Sequence, residues 1–154
     1  MSLLYEAARD IQRICRASGW QFCFIGGIAV QRGGEPRFTH DADLTLLTGF
    51  GNEAAYIERL LEEYDPRAPD AASFALKSRV LLLKAPNGIP IDVSLGAIDF
   101  EVRMIERASE WVAARGVAEM AHDRAKARNG EAIVCAGWAR DALAAAETES
   151  GNAS

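Results

Sequence analysis

Two aspartates one residue apart have the type and spacing of a metal-binding pair. Asp41 and Asp43 lie in a segment that alternates polar and apolar residues, which predicts a strand over 41–47. Because residues i and i+2 of a strand point to the same face, both carboxylates project together. Two such carboxylates repel each other unless a cation lies between them, and Mg²⁺ takes oxygen ligands. Taken alone, such a pair is more often a solvated strand face or a capped turn.

A third acid, Asp92, interrupts the apolar segment Ile89-Pro90-Ile91-Asp92-Val93. Strands this apolar are usually central in a sheet, where a lone carboxylate is costly unless it is paired or bound to a metal. An outward-facing residue on a half-exposed strand explains Asp92 equally well.

A glycine pair, Gly26-Gly27, follows the apolar segment 22–25, which predicts a buried strand, and precedes one or two helical turns over 28–32. Glycine permits a tight turn and close approach of a ligand, and a helix N-terminus favours phosphate. Alone, the pair is more often a plain strand-to-helix turn. Together with three acids it predicts a phosphoryl-transfer site, in which two metal ions about 3.5–4 Å apart stabilise the attacking and leaving oxygens.

The predicted helices and strands that position these residues indicate a mixed α+β domain. Its core is a small mixed sheet flanked by helices. Hydrophobic periodicity and turn residues predict helices over 3–17 and 53–64, a loop over 65–70, and a hairpin of strands 79–84 and 89–95 around Pro86-Asn87-Gly88. From Phe100 the pattern is helical, with further helices over 117–128 and 132–147. We divide the chain into a core (1–110), a helical C-terminal segment of the same domain (111–146) and a disordered tail (147–154).

Composition and charge narrow the function. The net charge of −5 and the pI of about 5.1 argue against stable binding to DNA, although an acidic protein can still meet a nucleotide through Mg²⁺. Three scattered cysteines indicate neither a zinc site nor a disulfide framework. No signal peptide or membrane-spanning segment is predicted, so we expect a cytoplasmic protein that contacts no membrane.

The combined motifs resemble the hallmark of the polymerase-beta-like nucleotidyltransferase superfamily. That hallmark is an apolar residue and two glycines, a spacer, and then acid-apolar-acid-apolar; here Ile25-Gly26-Gly27 is followed after thirteen residues by Asp41-Ala42-Asp43-Leu44. The longer strings Gly26-Gly27-Ile28-Ala29-Val30 and Arg37-Phe38-Thr39-His40-Asp41-Ala42-Asp43-Leu44 look like AbiEii, the toxin type of type IV toxin–antitoxin pairs. Enzymes that adenylylate aminoglycosides or lincosamides carry similar strings. The resemblance covers residues 20 to about 105.

The resemblance implies a role for each matched residue. The acids would bind two Mg²⁺ ions and complete the catalytic site, while the glycines and two residues before the first acid would contact the NTP phosphates. The implied metal-binding and catalytic residues are Asp41, Asp43 and Asp92, and the implied nucleotide-binding residues are Gly26, Gly27, Arg37 and Thr39. His40 receives no role, and Lys77 and Arg79 are more often solvated charges at a strand end. From Trp111 onward the chain departs from the family, and only Lys126 is a candidate for its usual basic residue.

The function implied is Mg²⁺-dependent transfer of a nucleoside monophosphate from an NTP to a hydroxyl, with release of pyrophosphate. The acceptor could be an RNA end, a protein or a small molecule, and a toxin-type enzyme could have an antitoxin or another partner chain. Two alternatives stay open. One is a non-catalytic nucleotide-binding or interaction module on the same fold, and the other is an enzyme of the aminoglycoside or lincosamide type.

Overall fold

Helices and strands alternate along the chain and build one mixed sheet with helices packed on it. The computed structural model describes residues 2–31, 39–112 and 132–135. In chain order the elements are α1 (Leu3–Ala17), β1 (Phe22–Ile25), α2 (Gly26–Gln31), β2 (Ala42–Leu47), α3 (Glu53–Glu63), β3 (Asp65–Pro66), α4 (Ala71–Ser78), β4 (Val80–Lys84), β5 (Pro90–Gly96), α5 (Asp99–Glu106), β6 (Ser109–Val112) and β7 (Ala132–Cys135). The predicted α+β class is confirmed.

The sheet has the strand order β3-β4-β5-β2-β1-β7-β6. At its centre β2 and β5 run parallel, while β1 is antiparallel to β2 and β4 is antiparallel to β5. The predicted hairpin joins β4 to β5, and Gly88 in its turn has a φ of 87°, a conformation that glycine adopts without strain. The hairpin carries the chain directly into the strand that contains Asp92.

The two faces of the central strands differ because side chains alternate along each strand. One face, which we call the core face, is apolar and completely buried. It includes Leu44 and Leu46 of β2 and Ile91 and Val93 of β5, each 0% exposed. These side chains belong to one buried cluster with apolar residues of α1 and α3. The opposite face, here called the carboxylate face, is therefore left to carry polar groups.

Helix α1 confirms the prediction from hydrophobic periodicity. Its buried positions Leu4, Ala8, Ile11 and Cys15 recur at helical spacing and join the core cluster. The backbone beyond the helix turns through Gly19, whose φ is 69°. No helix within the described ranges is long and apolar enough to cross a membrane.

Several predicted boundaries were wrong in the first two thirds of the chain. Helix α2 begins at Gly26 itself rather than at residue 28. The segment 65–70, predicted as a loop, begins with the two-residue strand β3, which pairs with the end of β4. Helix α4 was not predicted, because Ala71 and Ala75 are its buried residues and such small side chains give only a weak hydrophobic stripe.

The helical prediction beyond Phe100 was correct for α5 and wrong for two later segments. Residues 109–112 form β6, and residues 132–135 form β7, which lies parallel to β1 and pairs with β6. A short apolar run such as Ala132-Ile133-Val134-Cys135 fits a helix or a strand equally well by pattern, and its β-branched residues favour the strand. The predicted helix 117–128, the rest of 132–147 and the tail 147–154 lie outside the described residues.

Candidate active site

The register of β2 and β5 brings two of the predicted acids directly opposite each other. Asp43 pairs with Asp92 across these parallel strands, and neighbouring strands lie about 4.8 Å apart. Asp41 lies immediately before β2 and two residues before Asp43, so that it projects on the same side. All three acids are only partly buried, which leaves them accessible from the carboxylate face. The three acids therefore form one cluster, the acid cluster, at one end of the carboxylate face.

The acid cluster is electrostatically unfavourable in the absence of a cation. Burial, followed by the negative charges of Asp92 and Asp41, raises the pKa of Asp43 from an ordinary 3.8 to about 6. Burial also raises the pKa of Asp92, and the positive charge of Arg67 opposes that rise. Carboxylates whose charges repel one another in this way are stabilised when a cation is bound between them.

Positions 26 and 27 require glycine because of close contacts with the site as well as because of the turn. Gly26 has a φ of 61°, and a Cβ added to it would lie 2.5 Å from Oδ2 of Asp43. A Cβ added to Gly27 would lie 2.4 Å from the Cβ of Thr39. Helix α2 starts at Gly26, so the backbone enters the helix in direct contact with the acid cluster. Only glycine permits this approach at both positions.

Of the residues that precede Asp41, Thr39 lies at the site. Thr39 is half-buried against Gly27, and its hydroxyl donates a hydrogen bond of 3.3 Å to the backbone oxygen of Asp41. It thus supports the backbone that carries the first acid. His40 is exposed, and Arg37 lies outside the described residues.

Arg67 is a residue of the site that the sequence reasoning missed. It follows β3, and its Nη2 donates to Oδ1 of Asp92 in an ion pair. Its backbone N–H donates to the oxygen of Leu82 (3.0 Å), and its Nε donates to the oxygen of Leu83 (2.8 Å). The only sequence signal was an arginine between two prolines, Pro66 and Pro69, which is an ordinary loop pattern.

Of the other basic residues considered from sequence, the structure describes Arg79 and Lys77, and neither joins the acid cluster. The guanidinium of Arg79 donates to Oε1 of Glu53 (2.7 Å) and to the backbone oxygen of Leu95 (2.9 Å), and it lies 4.8 Å from the centre of the Phe50 ring. These contacts assign Arg79 to packing between α3 and the far ends of β4 and β5. Lys77 is exposed on α4, as expected for a solvated charge, and Lys126 is outside the described residues.

The donor set of the acid cluster fits Mg²⁺, because it offers only carboxylate oxygens on adjacent positions of one sheet face. Within the part of the chain that the structure describes, however, no group of three or more His, Cys, Asp or Glu side chains is arranged to hold a metal ion. In this structure Asp92 is engaged by the ion pair with Arg67. Metal binding by all three acids would require that contact to open.

Comparison with known proteins does not assign the chain to a family. No protein-family model matches it, and no curated protein is significantly similar to it. The resemblance in the Gly-Gly and Asp-x-Asp segments stays a prediction.

Proposed function

We propose that this protein is a Mg²⁺-dependent nucleotidyltransferase, which transfers a nucleoside monophosphate from an NTP to a hydroxyl and releases pyrophosphate. The observation that carries the proposal is the pairing of Asp43 with Asp92. Asp43 lies two residues after Asp41, and it is also in contact with Gly26. These contacts join three acids and a strand-to-helix glycine turn in one place. An ordinary solvated strand face would not need a glycine backbone packed against its aspartate.

Each residue has a role in the proposed reaction. Asp41, Asp43 and Asp92 would hold Mg²⁺, which when bound neutralises the phosphate charge and polarises the reacting phosphoryl group. The backbone of Gly26 and Gly27 lets the phosphate chain approach the acids without obstruction by a Cβ. Thr39 fixes the backbone at Asp41 and lies beside the same approach.

The proposed transfer forms one bond and breaks one. The acceptor oxygen forms a bond to the α-phosphorus as the bond from the α-phosphorus to pyrophosphate breaks. The proton of the acceptor hydroxyl passes to solvent water, and Asp92 would help to hold the Mg²⁺ that favours this loss. The acceptor is an RNA end, a protein hydroxyl or a small molecule. A toxin-type role with an antitoxin partner and a cytoplasmic location belong to the same proposal.

The second candidate is a non-catalytic nucleotide-binding or interaction module. The observation that favours it is the Arg67–Asp92 ion pair, which neutralises one acid without a metal. A module of this kind would retain the sheet and the glycine turn for binding while transferring nothing. An antibiotic-modifying enzyme would use the same chemistry as the first candidate and differ only in its acceptor.

The test is transfer of label from the α-phosphate of each NTP to RNA, to the protein itself and to aminoglycosides or lincosamides. We expect Mg²⁺-dependent labelling of one acceptor by the wild type and loss of at least about a hundredfold in Asp43→Asn. Asp99→Asn is the matched control, because Asp99 is an exposed aspartate at the start of α5. Label that moves from the γ-phosphate instead would refute nucleotidyl transfer, and binding without any transfer would favour the module.

A further inference from the structure

We propose that Arg67 is a positioning residue for the nucleotide. Its guanidinium donates to Asp92 when no nucleotide is bound, and it donates to the phosphate chain instead when a metal-bound NTP binds. This inference rests on the proposed function. Arg67 is not part of the sequence motifs, and contacts with β4 and β5 hold its guanidinium at the acid cluster.

The sheet register brings Arg67 into line with the acid cluster. Pro66 pairs with Leu83 in β4, and the backbone N–H of Arg67 donates to the oxygen of Leu82. Leu82 in turn pairs with Asp92, and Asp92 pairs with Asp43. The guanidinium therefore reaches the site along one row of the sheet, which leads from β3 to the centre.

The guanidinium has one anchored side and one side that can change partners. Its Nε donates to the backbone oxygen of Leu83 at 2.8 Å, a contact that does not depend on the acid cluster. Its Nη2 donates to Asp92. Rotation about the anchored end would move Nη2 from the carboxylate to another anion without withdrawing the side chain from the site.

The ion pair is weak enough to be exchanged. The side chains of Arg67 and Asp92 are 30% and 31% exposed, so solvent screens their attraction. Two changes would open the pair together when Mg²⁺ and an NTP arrive. The metal competes for Asp92, and the phosphate offers the guanidinium an anion that it can bind through two parallel hydrogen bonds.

The exchange predicts opposite effects of one substitution in two titrations. In Arg67→Gln, Asp92 is freed, so Mn²⁺ alone should bind about twofold to tenfold more tightly than to the wild type. A Mg²⁺ complex of an NTP with a methylene bridge between its α- and β-phosphates should bind about tenfold more weakly, because a charge-assisted contact to phosphate is lost. Calorimetric titration of the full chain measures both affinities.

Two further variants separate this role from simple structural support. Arg67→Lys retains the charge without the planar fork, so its affinity for the Mg²⁺–nucleotide complex should fall between those of the wild type and Arg67→Gln. Arg59→Gln is the matched control, because Arg59 forms a comparable ion pair with Glu63 (2.7 Å) on the surface of α3. Both affinities should be unchanged in that variant.

The outcomes distinguish the inference from the proposed function. If Arg67→Gln weakens both affinities together, or changes neither, while the wild type binds the Mg²⁺–nucleotide complex, the exchange is wrong and the proposed function stands. If the wild type binds no nucleotide of any base, the proposed function is wrong and the role of Arg67 is wrong with it. Opposite shifts in the two titrations, with Arg67→Lys intermediate, support the exchange.

Discussion

Removal of the charge on Asp43 should stabilise the metal-free protein, although the same change should abolish the proposed transfer. Asp43 lies between two other acids on a partly buried face, and burial and their charges raise its pKa to about 6. An aspartate with a higher pKa in the folded than in the unfolded protein favours the unfolded state once it ionises. Asp43→Asn retains the shape of the side chain without the charge.

The magnitude follows from the difference between the two pKa values. A rise from 3.8 to about 6 corresponds to at most about 3 kcal/mol of lost stability above pH 6. Because Asp43 is only partly buried, solvent screens part of this repulsion, and we expect Asp43→Asn to gain about 1–2 kcal/mol near pH 8. Below about pH 4 the carboxyl is protonated in both states, so the advantage of the variant should disappear.

Urea unfolding of the wild type and Asp43→Asn from about pH 4 to about pH 8, without metal, measures this difference. The wild type should lose stability relative to the variant as the pH rises through the window between the two pKa values. Millimolar Mg²⁺ should then narrow the gap at high pH, because the ion neutralises the acid cluster of the wild type. Asp99→Asn, which changes an exposed aspartate, serves as the control for a general charge effect. A variant that is less stable than the wild type at pH 8 would refute the electrostatic reasoning.

Two further predictions concern the backbone and the far end of the sheet. Gly27→Ala should lower the free energy of unfolding by about 1–3 kcal/mol, because the new methyl group overlaps Thr39. Gly19→Ala meets no atom within 4 Å and should show only the cost of its positive φ. Urea unfolding measures both variants, and a Gly27→Ala variant as stable as the wild type would contradict the steric explanation. Arg79→Gln should lower the urea midpoint at neutral pH, since a hydrogen bond from Arg79 holds the pKa of Glu53 below its ordinary value. That loss should shrink as the pH falls below the ordinary pKa of glutamate, and a deficit independent of pH would show that the contact acts through packing alone.

The local arrangement of the acids could be predicted from sequence, while their partners across the sheet could not. The alternation around Asp41 and Asp43 fixes which side chains share a face, and the apolar run around Asp92 predicts a strand. The pairing of Asp43 with Asp92 depends on β2 and β5 lying side by side in one register, although more than forty residues separate them. That choice belongs to the packing of the whole sheet and leaves no local pattern.

The contacts of Arg67 and of the glycine pair could not be predicted from sequence either, because they depend on strand pairing. The place of Arg67 depends on two residues of β3 pairing with the end of β4, and so short a strand has no recognisable periodicity. Gly26 and Gly27 could be recognised as a turn, but their contacts with Asp43 and Thr39 arise only when β1 and β2 pair. The strand β7 was mispredicted because four apolar residues are too few to distinguish a helix from a strand.

Calorimetric titration of each Mg²⁺–NTP into the wild type, Asp43→Asn and Asp99→Asn tests most directly whether the acid cluster binds a nucleotide through a metal. We expect one or more nucleotides to bind to the wild type and to Asp99→Asn only when Mg²⁺ is present. Asp43→Asn should lose this metal-dependent binding while it remains folded. Equal binding to Asp43→Asn, or no binding of any NTP to folded wild-type protein, would contradict the claim that the acid cluster is a metal-dependent nucleotide site.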